Sequence, residues 1–488
     1  MSFFHQRRAG ILLHPTSLPG LPGSGDLGPS AYHFVDFLGS CGARVWQMLP
    51  LAPPHADRSP YQTTSAHAGD PHLISLELLQ QQGWLDEIPE MDEDSAAKLR
   101  DAALVRAGEV FFSRAASDQQ AAFTHFCREH AGWLDDFALY QVIRNTHRSQ
   151  GWTDWSPGYR QRHQATLTAF QHAHADAIRQ VKFEQYQFFS QWHALRDYAN
   201  ARDILLFGDI PIFVAHDSAD VWSHPELFML DADGQPTHVA GVPPDYFSAT
   251  GQRWGNPLYR WERMQEDGFD WWIQRLATQR ELFDLIRIDH FRGFEAFWQI
   301  DAAEPTAING HWVQAPGAAL FERLSEVFGE LPLVAEDLGT ITPEVESLRR
   351  RFGLPGMKIL QFAFGDGAGN PYLPHNHEAL SVVYTGTHDN DTTLGWWSGL
   401  DEATQRHLVD YLDCDPAAMP WPLIRAALAS VSALAVIPLQ DLFGLDGTHR
   451  MNTPGLPDGN WRWRFDWSMS DDEQVERFRQ MNRLYGRL

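Results

Sequence analysis

Cysteine is scarce. A chain of 488 residues holds three, Cys41, Cys127 and Cys414, far apart and without the spacing of a metal-binding pair. That excludes a disulfide-stapled scaffold and a cysteine-ligated zinc site as organising features. Long apolar runs are also missing. No stretch reaches the ~20 residues needed to cross a bilayer, and residues 1–8 (Met-Ser-Phe-Phe-His-Gln-Arg-Arg) hold no extended apolar segment ahead of a cleavage site. The expectation is a soluble, unexported, cytoplasmic chain with no membrane partner. Basic residues are outnumbered: 38 Lys and Arg face 63 Asp and Glu, for a formal charge of −25. Such a field repels phosphate backbones and anionic lipid, so nucleic acid and membrane surfaces are excluded as natural partners, whereas a neutral ligand is indifferent to it. The glycine-rich stretch 365–369 lacks the lysine and the following helix of a phosphate-binding loop. The pairs His172/His174 and His375/His377 have no acidic or cysteine partner at ligand spacing. No metal and no organic cofactor are therefore expected.

What the chain does have is aromatic residues, including 19 Trp. Most belong to a core; some suit the apolar faces of sugars, and composition does not separate the two uses. Apolar runs recur at 10–13, 44–49, 203–209, 285–288, 333–335, 357–364, 382–384 and 433–439. Several are almost continuously apolar, as strands covered on both faces must be. Helix-like stretches such as 31–40, 317–329, 343–351 and 402–412 lie between them. This alternation predicts an α/β fold, a single (β/α)8 TIM barrel over residues 1–488 with no separate C-terminal β-domain. Two connections are too long for barrel turns. Residues 71–200, with helical patterns at 119–130 and 165–198, are expected to form an inserted helical subdomain. Residues 215–270, rich in Pro, Gly, Asp and aromatics, are expected to form loops over the barrel mouth.

Three acidic motifs end the fourth, fifth and seventh of these runs: Arg287-Ile-Asp289-His290-Phe-Arg-Gly293, Ala335-Glu336-Asp337-Leu-Gly339 and Thr385-Gly-Thr-His388-Asp389-Asn390-Asp391. A carboxylate at the end of a buried strand is costly unless it is used. Three of them at the ends of strands of one barrel imply one acid-lined pocket, the arrangement in which one carboxylate attacks a sugar and another handles the proton. Arg287 and Asp289, two apart on an extended segment, share a side. A guanidinium there favours an ionised nucleophile, although a purely structural ion pair has the same pattern. Glu336 and Asp337, one apart, point to opposite sides, so one of them faces the pocket and the other anchors the chain nearby.

The order of these motifs resembles the amylomaltases, the 4-α-glucanotransferases of glycoside hydrolase family seventy-seven, relatives of the α-amylases. Ser59-Pro60-Tyr61-Gln62, Gly208-Asp209-Ile-Pro-Ile-Phe-Val214, the stretch 241–257 and Arg450-Met451-Asn452 are similar too, and the resemblance runs from about residue 9 to about 464. It implies Asp289 as nucleophile, Glu336 as acid/base and Asp389 as the carboxylate that grips the sugar at the cleavage point. His388, Arg287 and Asp209 would support them. Tyr61 and Trp254 would bind sugar rings, and residues 245–252, with Tyr246 and Phe247, would cover the acceptor side. Asp391 would cap the helix beginning near Thr392. His14 stays open between a structural and a pocket residue. The implied partners are α-1,4-glucans and maltooligosaccharides, the implied activity retaining transfer of glucan segments. The alternatives are a retaining hydrolase or a non-catalytic glucan-binding barrel, and the latter would have lost one of the three carboxylates. The chain departs from the family pattern at Asp70, Ser75 and Ala249, outside the acidic motifs.

Overall fold

Runs such as Leu434–Pro438, buried along their whole length, suit strands covered on both faces. In the computed structural model eight such strands form one sheet. The structure describes residues 3–244, 248–456 and 458–488. The strands are β1 (Arg8–Leu12), β2 (Val45–Gln47), β3 (Leu205–Ile210), β4 (Leu285–Ile288), β5 (Leu333–Ala335), β6 (Gly356–Ile359), β7 (Ser381–Tyr384) and β8 (Leu434–Pro438). All their pairings are parallel, in the order β6-β7-β8-β1-β2-β3-β4-β5. The first strand thus meets the last, Arg8 opposite Leu434 and Leu12 opposite Pro438. Between β5 and β6 the Ala335 N–H donates to the Pro355 carbonyl at 2.9 Å and draws the ring shut. This is a (β/α)8 barrel.

Strand alternation sorts the core. Leu12, Phe207, Leu285, Val334, Met357, Val382 and Leu434 fill the barrel interior. Their strand neighbours Ile11, Leu206, Ile286, Leu333, Val383 and Ala435 pack outward against the helices. The sixth apolar run is only half a strand, because after Ile359 the chain turns into a 3-10 helix, Leu360–Phe362.

Between β2 and β3 the chain is helical, ending in the 26-residue helix Ala175–Asn200. Buried glutamines tie that helix to the loop around the 3-10 helix Pro71–Leu73. Gln185 accepts from the Gly69 N–H (2.8 Å) and donates to the Gly69 carbonyl (2.9 Å), and Gln191 does the same at Ser75 (2.7 and 3.2 Å). Each amide satisfies a backbone donor and acceptor that burial would otherwise leave unpaired. Over the mouth the structure builds more than loops. Gln252–Pro257, His238–Val242, Ala296–Asp301 and His311–Gln314 form a four-stranded antiparallel sheet in that order. Half of it comes from the segment after β4, which the apolar-run pattern does not mark because its burial is partial. Among the described residues no helix is long and apolar enough to cross a membrane.

Candidate active site

Arg287 is the hub. It lies on β4 directly opposite Asp209 of β3 in the ladder. One guanidinium nitrogen, Nη1, donates to both Asp209 oxygens at 2.9 and 2.7 Å, and Nη2 donates to Asp289 Oδ1 at 2.7 Å. Burial disfavours a charged guanidinium, yet the two carboxylates hold the Arg287 pKa well above its ordinary value. The Tyr61 hydroxyl donates to Asp209 Oδ2 at 2.8 Å and lies 2.8 Å from His388 Nε2. Asp209 itself is pushed up by burial and drawn down by Arg287. Four segments of the chain are thereby locked around one cation.

Glu336 follows β5 at the same end of the barrel. Its Oε2 accepts from the His290 N–H (2.8 Å) and its Oε1 from the Leu338 N–H (3.0 Å). Burial first, and the neighbouring Asp289 charge second, raise its pKa to about 8 against the pull of Arg287 and the two amides. Asp337 faces away, as the period of two requires. Its Oδ1 accepts from the Met357 N–H at 2.7 Å and its Oδ2 meets Arg349 Nε at 3.2 Å, so it anchors β6. Gly356 makes room for it, since a Cβ there would sit 2.2 Å from Asp337 Oδ2.

Asp389 lies beyond β7, its side chain 48% exposed and open to a ligand. Asn452 Nδ2 donates to its Oδ1 at 2.5 Å, Arg450 Nη2 donates to its carbonyl at 3.0 Å, and His388 Nε2 is 3.3 Å from Oδ2. Losing a hydrogen bond to a charged group costs about 1.5–3 kcal/mol. Asn452→Ala is therefore expected to lower kcat/KM on maltooligosaccharides roughly 10- to 150-fold, measured by initial rates, with the thermal midpoint little changed. The helix cap expected of Asp391 belongs to its neighbour. The Thr392 hydroxyl accepts from the Gly395 N–H at 3.1 Å, whereas Asp391 accepts from the Thr392 N–H at 2.8 Å and faces Arg450 at 3.7 Å. One residue decides it: the cap position has to precede the first helical residue, Thr393.

The aromatics divide into two groups. Tyr61 stacks on His388 with centroids 5.4 Å apart, and Trp461 lies 6.1 Å from Tyr61. On the other side Trp254, on the mouth strand Gln252–Pro257, meets His290 edge-on at 4.9 Å and Phe213 at 6.5 Å. Asp245, Tyr246 and Phe247 lie outside the described residues. Sequence reasoning did not mark Trp461, one Trp among many, nor the part played by Asn452. His14, left open by the sequence, lines a cavity of about 1330 Å³ with Pro60, Trp461 and Glu184. Burial, and then His388, lower the His14 pKa to about 3, which keeps it neutral. His375 and His377 spend their ring nitrogens on Tyr411, Ala368, Ser430 and Tyr372. Among the described residues no three His, Cys, Asp or Glu gather as metal ligands would.

Carboxylates at the C-terminal ends of parallel barrel strands, with aromatic rings beside them, define a carbohydrate-active enzyme of glycoside-hydrolase type. The family described as 4-alpha-glucanotransferase, Glyco_hydro_77, matches residues 13–470. A 4-alpha-glucanotransferase of Thermus thermophilus is 50% identical over 94% of this chain and 94% of its own length. One from Synechocystis is 45% identical over 99% and 98%. The structure of an amylomaltase from Streptococcus agalactiae in complex with acarbose superposes with a TM-score of 0.95, at 36% identity, covering 99% of this chain and all of the other. The chain belongs to the 4-alpha-glucanotransferase family.

Proposed function

We propose that the enzyme moves α-1,4-glucan segments to glucose or another glucan with retention of configuration, through a glycosyl ester on Asp289. The observation that carries the reading is the contrast between two neighbouring carboxyls. Asp289 is held by the Arg287 guanidinium, while Glu336 is raised to about 8 and stays protonated at neutral pH. An ion-paired carboxylate beside a carboxyl that stays protonated suits the roles of nucleophile and acid. Asp289 Oδ1 rests on Arg287, and the other oxygen attacks the anomeric carbon. Glu336 gives its proton to the departing 4-oxygen, so the leaving chain departs as an alcohol. The acceptor's 4-hydroxyl then returns a proton to Glu336 as its oxygen displaces Asp289. Asp389, steadied by Asn452 and His388, grips hydroxyls of the distorted ring. Arg287, Asp209, His388 and Tyr61 hold this constellation, and Tyr61 and Trp254 offer rings to the sugars. The deciding experiment is incubation with maltotriose. Glucose plus a ladder of longer maltooligosaccharides supports transfer, while glucose and maltose alone would make the enzyme a hydrolase.

Water competes for the ester, so transfer wins only where an acceptor sugar is bound and water kept out. Trp254→Ala is expected to raise the ratio of reducing-end release to ladder formation about threefold or more, as one sugar-stacking surface worth roughly 1 kcal/mol is lost. An unchanged ratio at a normal overall rate would make Trp254 a packing residue.

A further inference from the structure

His290 sits between the mouth strand and the acid/base and has no part in the scheme above. Its backbone is left-handed, φ +51° and ψ +50°, which is uncommon for a residue with a side chain. That conformation turns its N–H onto Glu336 Oε2 at 2.8 Å. The ring is wedged. Trp254 stands perpendicular to it at 4.9 Å, and Gly293 leaves it space, since a Cβ there would lie 3.1 Å from His290 Cδ2. Its Nε2 is buried without a hydrogen-bond partner. Burial lowers the His290 pKa to about 4, so the ring is neutral at working pH. Nothing in these contacts makes the imidazole a proton carrier. They make it a wedge that keeps one peptide in an unfavourable conformation.

We propose that His290 is a positioning residue for the acid/base: its left-handed backbone aims an amide at Glu336, and its ring, clamped by Trp254 over Gly293, holds that backbone in place. The proposal rests on the reading of Glu336 as acid/base. It also gives Trp254 a second role, because the mouth strand then bears on Glu336 through His290. The groups facing Glu336 are Arg287 of β4 and Asp289 just beyond it, the amides of His290 and Leu338, and Tyr372 from the loop after β6. Of these donors, the His290 amide is the one whose aim depends on a strained residue. Donation to the ionised carboxylate favours that form, so losing it raises the Glu336 pKa further.

The test compares His290→Gly, which adopts the left-handed region freely but lacks the ring, with His290→Val, whose branched side chain opposes that region. Val is expected to cost at least about tenfold in kcat/KM on maltotriose and to move the alkaline limb of its pH profile upward. Gly is expected to lose only about threefold and to keep the wild-type limb, because it enters this conformation without steric cost. If circular dichroism shows that Val does not fold, His290→Ala replaces it, with a smaller shift in the same direction. Equal losses in Gly and Val with an unmoved limb would overturn the proposal and make the ring a sugar contact. Wild-type behaviour in Val would overturn it as well. Failure of the underlying assignment looks different: Glu336→Gln would then keep its activity, whereas it stays inactive if only the positioning role is wrong.

Discussion

Asp289→Asn is expected to abolish transfer, by more than roughly 10⁴-fold in kcat, while the fold survives. The amide keeps the shape of the carboxylate but cannot form the ester. Survival follows from the geometry of Arg287. Its guanidinium keeps both oxygens of Asp209, so no buried cation is left unpaired when the Asp289 charge goes. The check is ladder formation from maltotriose together with a thermal melt. Substantial transfer by the pure variant would remove Asp289 from the nucleophile's role. Asp209→Asn is the contrasting change, because it weakens the Arg287 pair and the Tyr61 contact together.

Glu336→Gln is expected to lose about 10³–10⁵-fold on maltooligosaccharides and yet still glycosylate Asp289 from an α-glucosyl fluoride. Fluoride departs without a proton, so the first step no longer needs an acid. Mass spectrometry of the intact protein should show the added glycosyl unit, since the variant has no base to activate an acceptor. The wild-type enzyme carries the matching pH signature. Burial and Asp289 hold the Glu336 pKa at about 8. The group is therefore protonated and able to donate below that value, and activity falls as pH rises through it. With the fluoride donor that alkaline limb should vanish from the first step. Wild-type rates on maltooligosaccharides in the Gln variant would sink the assignment.

The barrel could be read in advance because most of its strands are covered on both faces and so read as short, mainly apolar runs, with a few polar residues such as Arg287 and Asp209 inside them. The acidic motifs could be read because a charge at the end of such a run has no cheap structural excuse. The period of two put Glu336 and Asp337 on opposite sides of their strand end, and the family resemblance gave the pocket to Glu336. The mouth sheet was not readable in this way. Ala296–Asp301 and His311–Gln314 are only partly buried and mix Trp with polar residues, so neither a continuous nor an alternating apolar pattern marks them. The supports of the site were hidden for a different reason. Asn452 meets Asp389 across 63 residues of chain, and Tyr61 meets His388 across 327. No local period encodes such a meeting; it exists only once the barrel has closed. The left-handed turn at His290 carries no glycine or asparagine to announce it.

That closure has a consequence for how the chain is made. Arg8 of β1 pairs with Leu434 of β8. At roughly 5–20 residues per second, synthesis leaves the outer edge of β1 without its neighbour for on the order of tens of seconds. Through that interval the nascent chain exposes a short apolar strand edge of the kind that recruits other strands. Its early companions are the β2 pairing and the helix Pro29–Cys41, which forms next in sequence and packs near β2. A ribosome stalled just before residue 434 should therefore hold a protease-sensitive, aggregation-prone barrel that lacks its closing strand, and one stalled well beyond residue 438 should not.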